Sequence, residues 1–203
     1  MAQEVTTMWP YMYPDFTTGT VYFANQQTLT APVNVHLLKS TLHYLDKEQI
    51  KEAQLAEIVL VKIGYNRYYV CDNQLMRIAA GDSTGFVAEL VTADFDAIRE
   101  SGGAYGSSSS VQATRKLSSV EIGGVNITNH VELKNKKDAG SLLPLSKKYY
   151  IVTTDQIYPA NKKGFASQLP AHQQDAFKQF IKQHKIKWNQ PESLLALLEF
   201  LKK

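Results

Sequence analysis

Phe16-Thr-Thr-Gly-Thr-Val-Tyr-Phe-Ala24, Val33-Asn-Val-His-Leu-Leu38, and Ile58-Val-Leu-Val-Lys-Ile63 leading through Gly64 and Tyr65-Asn66 into Arg67-Tyr-Tyr-Val-Cys71 decide the fold. These are short β-branched and aromatic runs set between polar ones, which is how small antiparallel sheets are written. Asn25-Gln26-Gln27, Asp46-Lys47-Glu48, Gly64-Tyr65-Asn66 and Gly81-Asp82-Ser83 supply the turn chemistry between them. About six strands are expected over residues 19–91. Residues 33–45 read either as two strands or as a helix with Val35, Leu38, Leu42 and Leu45 on one stripe. Pro32 and the β-branched start favour strands.

Beyond this sheet, residues 92–100 read as one helical turn or as a tail of the sheet, and residues 101–110 as a Gly/Ser-rich loop. Residues 111–122 and 127–133 form an expected hairpin around Gly123-Gly124, and Lys148-Tyr-Tyr-Ile-Val-Thr153 an expected strand. Phe177, Phe180 and Ile181 at i, i+3, i+4 mark a helix from about Ala171 to His184. Asn189-Gln-Pro-Glu192 follows the capping-box pattern, with Asn189 as N-cap, and Leu194, Leu195, Leu197, Leu198 and Leu201 form the buried face of a second helix. The expected class is α+β: an antiparallel, sandwich- or barrel-like β body with a C-terminal two-helix hairpin. The 203 residues read as one domain. The 101–110 loop is where it would divide into a β lobe (1–100) and a strand-plus-hairpin lobe (111–203).

No stretch approaches the ~20 apolar residues of a membrane-spanning helix. The net charge of +3 hides an asymmetry. Residues 1–110 carry seven Lys/Arg against twelve Asp/Glu, a net of −5, and residues 111–203 carry fifteen against seven, a net of +8. Eight lysines and two acids lie between Lys147 and Lys187, with no arginine to bind phosphate bidentately. A solvated helix face is the simpler reading, ahead of an anionic-lipid or nucleic-acid surface. Cys71 is the single cysteine, so no intrachain disulfide forms. Beside Tyr68 and Tyr69 it reads as a buried structural thiol.

No sequence pattern for a nucleotide, a metal or another cofactor is found. Gly106 is followed by four serines rather than Lys-Ser/Thr, and Gly102 and Gly103 are adjacent, so neither nucleotide-binding spacing is met. His36 and His43, seven apart, would face opposite sides of one strand unless a turn brought them together. His172 and His184 sit twelve apart on the expected helix, where His184 extends the Phe177 stripe as a packing residue. No H-E-x-x-H, C-x-x-C or S-x-x-K spacing occurs. The aromatic residues are the binding candidates. Trp9, Tyr11 and Tyr13 share a parity that would place them on one face of an extended arm, and Tyr65 and Tyr105 stand in a turn and in the Gly/Ser loop.

Phe16-x-x-Gly19-Thr-Val, Val33-Asn-Val-His-Leu-Leu38, Val59-Leu-Val-Lys-Ile-Gly64 leading to Tyr68-Tyr69, Gly103-Ala-Tyr-Gly106 and Phe180-Ile-Lys-Gln-His-Lys-Ile-Lys187 together resemble a family of exported, β-rich proteins of Gram-negative gut bacteria. No activity is known for that family. The resemblance implies an envelope location, which the Ala2-Gln3-Glu4 start, read as a signal-peptidase product, also suggests. It implies no site residues. The functional expectation is an exported, non-enzymatic binding module without a cofactor, in contact with an envelope protein or glycan. Two alternatives stand beside it: a hydrolase of envelope polymers, and a basic-surface module for anionic lipid or nucleic acid.

Overall fold

The computed structural model describes residues 5–6, 10–47, 49–94, 97, 119–122, 125–128 and 143–202, those at 5–6, 119–122 and 125–128 by backbone alone. Strands β1 (Val5–Thr6), β2 (Thr17–Phe23), β3 (Thr28–His36), β4 (Thr41–Asp46), β5 (Gln49–Glu52), β6 (Ile58–Ile63), β7 (Asn66–Cys71), β8 (Gln74–Asp82) and β9 (Gly85–Ala93) precede a separate antiparallel pair, β10 (Ser119–Ile122) and β11 (Val125–Thr128). Then come β12 (Leu143–Val152), β13 (Ile157–Pro159) and helices α1 (Lys162–Gln168), α2 (Ala171–His184) and α3 (Pro191–Leu201). The main sheet has the order β1-β12-β9-β8-β7-β6-β2-β3-β4-β5, with β13 also on β12. Every neighbouring pair is antiparallel. The class is α+β, and the sheet is longer than its sequence suggests, with eight strands where about six were expected.

Tight turns set the register. Gly64 has φ +56 at the first position of the two-residue β6–β7 loop, the glycine-first pattern of a II′ hairpin. Asp72 and Asn73 both have positive φ (49 and 57) between β7 and β8, as a I′ hairpin demands. Residues 33–45 form the end of β3 and the start of β4 rather than a helix, joined by a loop at 37–40 in which Ser40 has φ 55.

That loop closes a pronounced curl. Leu75 N–H donates to Ser40 O and Ser40 Oγ to Leu75 O, both at 2.7 Å, and Ala93 N–H donates to Leu37 O at 2.7 Å. A loop between β3 and β4 reaches β8 and the end of β9 only because the intervening strands twist and coil around it. The concave face carries two apolar layers. Val21, Val33, Val35, Leu42, Val61 and Ile63 lie under the segment before β2 and under Leu55. Val87 and Ile151 lie under the helices, packed with Phe165, Phe177, Phe180, Leu194, Leu197 and Leu198.

The helical hairpin matches its periodicity, with α2 at Ala171–His184. His184 stacks on Phe180 at 3.9 Å between centroids, as its place on the stripe implies. The start of α3 differs from expectation: its N-cap is Gln190, not Asn189, and makes no side-chain cap. Pro191 at N1 fixes φ and places the helix start one residue later. The short α1 was not foreseen; Asn161 caps it by accepting from Gly164 N–H at 2.7 Å, and it buries only Phe165. The 101–110 loop, most of 95–100 and the outer parts of the 111–133 hairpin lie outside the described residues.

Gly19 sits where the neighbouring strands leave no room for a side chain. A Cβ there would lie 2.4 Å from Val33 Cγ2 and 2.9 Å from Lys62 O. Val33 is β-branched, buried and stiff at χ1, so it cannot yield cheaply. Gly19→Ala is expected to lower stability by ~1–3 kcal/mol, read as a lower urea midpoint at an unchanged m-value.

Candidate functional site

The register of the four central strands lines up one row of side chains on the concave face. Tyr68 on β7 pairs with Arg77 on β8, Arg77 with Glu89 on β9, and Glu89 with Tyr149 on β12. A bulge makes this row. Counting back from the Asp82–Gly85 pair, an unbroken ladder would set Ile78 opposite Glu89 and turn Arg77 to the other face. The irregularity between Ile78 and Ala80 inserts one residue and moves Arg77 directly opposite Glu89.

Glu89 is 3% exposed in the middle of a strand that is otherwise mostly apolar and buried. Such a carboxylate persists only if its lone pairs are filled. Arg77 donates from Nε at 2.8 Å and from Nη2, both to Oε2. Tyr149 Oη donates to Oε1 at 3.2 Å, and Lys147 Nζ lies 3.3 Å from the same oxygen. Burial opposes ionisation of Glu89, but the Arg77 hydrogen bonds and charge, with Lys147, outweigh it and hold the carboxyl below its ordinary range. Burial likewise opposes the Arg77 charge, and Glu89 more than restores it. Tyr149 is pushed up by burial and then by the Glu89 charge. The row therefore stands at neutral pH as an ion pair bracketed by neutral phenols.

A second polar wall faces it. Tyr13 and Tyr68 share a hydroxyl–hydroxyl bond of 2.6 Å, and Asn66 Nδ2 donates to Tyr13 Oη at 2.9 Å. Burial, followed by the Tyr13 bond, pushes the Tyr68 phenol far above its usual value. Between these walls lies a cavity of about 240 Å³, with Met12, Val35, Leu75, Val91 and Leu145 as its apolar surface. Ser40 also lines it, with its hydroxyl donated to Leu75 O. The cavity sits between the layer under the N-terminal segment and the layer under the helices.

Asn34 holds the wall that bears Tyr13. It is 1% exposed and uses its whole amide. Its Oδ1 accepts from Tyr13 N–H and Val35 N–H, and its Nδ2 donates to Tyr13 O and Asp15 O. The chain bends at this clamp, so Tyr11 and Tyr13 do not share a face. Tyr13 enters the cavity, whereas Tyr11 bridges to His36 and its hydroxyl meets His43 Nδ1 at 3.0 Å. His36 and His43 stack at 4.3 Å, 8° from parallel, because the 37–40 loop brings them side by side on β3 and β4. Glu52 Oε2 lies 3.5 Å from His43 Nε2. Among the described residues, no group of three or more His, Cys, Asp or Glu is placed to hold a metal ion.

Of the residues singled out from sequence, Tyr13 lines the cavity and Tyr65 stands fully exposed on the β6–β7 turn, next to the cavity residue Asn66. Tyr11 belongs to the histidine cluster, and Trp9 and Tyr105 lie outside the described residues. Cys71 is partly buried on the convex side, packed against the layer of Met76 and Leu90, and burial pushes its thiol up. Of the C-terminal lysines, Lys147 reaches Glu89 and Lys178 pairs with Asp175 at 2.8 Å on the helix surface. Sequence reading missed Arg77, Glu89, Lys147 and Tyr68 as a unit. The available signal was Glu89, the only charge in Gly85-Phe-Val-Ala-Glu-Leu-Val-Thr-Ala93.

No protein-family model, curated protein or solved structure matches the chain.

Because the folded pKa of Glu89 is depressed, its stabilisation is present in full above the unfolded value of about 4.3. It is lost as pH falls through the folded value. Glu89→Gln is expected to cost roughly 3 kcal/mol at pH 7, by leaving Arg77 and Lys147 without their carboxylate. Urea melts from pH 7 to pH 3 will show a smaller loss of stability in the variant than in the native chain.

Proposed function

We propose that this chain is a non-enzymatic binding module whose ligand occupies the cavity on the concave face of the sheet. One observation carries the reading: an apolar surface and two polar walls whose side chains are already held in place by their neighbours. Small-molecule sites have this form, apolar in lining with a few placed polar groups. The volume supports a modest ligand, since an engineered dry cavity of ~150 Å³ takes up benzene. The groups facing the cavity favour binding over proton transfer, because Glu89 is saturated by its four contacts and the Tyr68 phenol is held neutral. The binding surface named in this reading is the cavity rather than the exposed face of an aromatic arm. An exported, envelope-associated setting is part of the proposal and rests on the family resemblance.

The test is a screen of the ¹⁵N-labelled chain against mixtures of small organic acids, amides, amines and sugars. The expected result is a set of amide shifts clustered at Tyr68, Leu75, Arg77, Glu89 and Val91, abolished when Leu145→Trp fills the cavity. Shifts confined to the Tyr65 turn or to the helices would contradict the reading.

A further inference from the structure

Resting on the binding role just proposed, we infer that the cavity is selective for a small monocarboxylate with an apolar body, its carboxylate seated on the free edge of Arg77. The inference comes from counting donors. A guanidinium carries five N–H groups in two usable edges. Arg77 spends its Nε/Nη2 edge on one oxygen of Glu89, which leaves both Nη1 hydrogens and one Nη2 hydrogen. That remaining end-on edge lies on a side chain 38% exposed, in the wall of the cavity. Glu89 cannot satisfy it, because both carboxylate oxygens are already engaged and its strand fixes its place.

The tyrosine pair adds one more donor. Two hydroxyls share a single hydrogen bond, and Asn66 donates to Tyr13 rather than accepting from it. Whichever phenol donates to the other, one hydroxyl hydrogen of the pair is left over. Tyr68 is the cross-strand neighbour of Arg77, so this hydrogen and the open guanidinium edge belong to the same end of the cavity.

A ligand there meets donors, and it must present acceptors. The end-on edge of an arginine matches a planar carboxylate through two parallel bonds. One edge and one hydroxyl supply three hydrogen bonds, enough to engage two oxygens and leaving none for the third oxygen of a phosphate. The rest of the cavity, lined by Leu75, Val91 and Leu145, offers apolar surface and suits an aryl or branched alkyl body. Glu89 is a positioning residue here: it orients Arg77 and neutralises part of the local charge without touching the ligand.

The experiment titrates the full-length chain at pH 7 with phenylacetate, its neutral isostere phenylacetamide, and phenyl phosphate, following amide shifts of the cavity residues. Saturable binding of phenylacetate is expected, with phenylacetamide and phenyl phosphate at least tenfold weaker. Arg77→Gln should weaken phenylacetate at least tenfold. The double variant Tyr13→Phe/Tyr68→Phe, which leaves every charge in place, should weaken it several-fold while its spectrum stays folded. Equal or tighter binding of the amide or the phosphate within the cavity would overturn the carboxylate assignment and leave the binding role standing. Failure of all three probes to move any cavity resonance would overturn both.

Discussion

A single carboxylate buried in the middle of β9 organises the functional half of this molecule. Removing an ion of this kind from water costs several kcal/mol before any partner is found. Hydrogen bonds to charged groups return about 1.5–3 kcal/mol each. Glu89 is stable in place because three flanking side chains converge on it: Arg77 from β8, and Lys147 and Tyr149 from β12. The bulge at Ile78–Ala80 is a condition of that convergence, since without it the arginine would face away. What results is a guanidinium locked at one edge and open at the other, a rigid donor that costs a ligand little ordering entropy to engage.

The opposite wall follows from a different constraint, the curl of the sheet. The 37–40 loop bonds to β8 and to the end of β9, and this brings the β3 side of the sheet over the central strands. Asn34 then fixes the segment before β2 by three hydrogen bonds, placing the Tyr13 hydroxyl against Tyr68. Two walls made by distant parts of the chain therefore meet at a spacing set by hydrogen bonds to the backbone, from other backbone groups and from the short side chains of Asn34 and Ser40. The helices complete the face at its other end, packing α3 on β8, β9 and β12.

The β-branched alternation made the strands legible, and the turn residues made several hairpins legible, since Gln26, Lys47, Gly64 and Gly81 occupy positive-φ positions, whereas the Asp72-Asn73 turn was not among those expected. The Phe177–Phe180–Ile181 spacing marked α2 to the residue. Other features left weaker traces. Helix α1 is seven residues long with one buried side chain, too short to show a periodicity. Asn189 has the chemistry of an N-cap, but Pro191 moves the helix start past it. For the site, Glu89 was visible as a lone charge in an apolar strand, whereas its partner was not, because a one-residue bulge changes which neighbour faces it. Tyr11 and Tyr13 share a parity in sequence and part company in space, because a buried asparagine from another strand grips the backbone at Tyr13 and Asp15, where the chain bends directly after Tyr11.

The account stands on Glu89 being ionised and pinned rather than a neutral acid that exchanges protons with its surroundings. The direct measurement is a ¹³C titration of the Glu89 side-chain carboxyl in the intact chain, assigned by comparison with Glu89→Gln. The account predicts a midpoint clearly below the ordinary glutamate value of about 4.3. A midpoint at or above that value would mean that burial outweighs the cations, that Arg77 is not held as described, and that the open donor edge on which the site depends is not preformed.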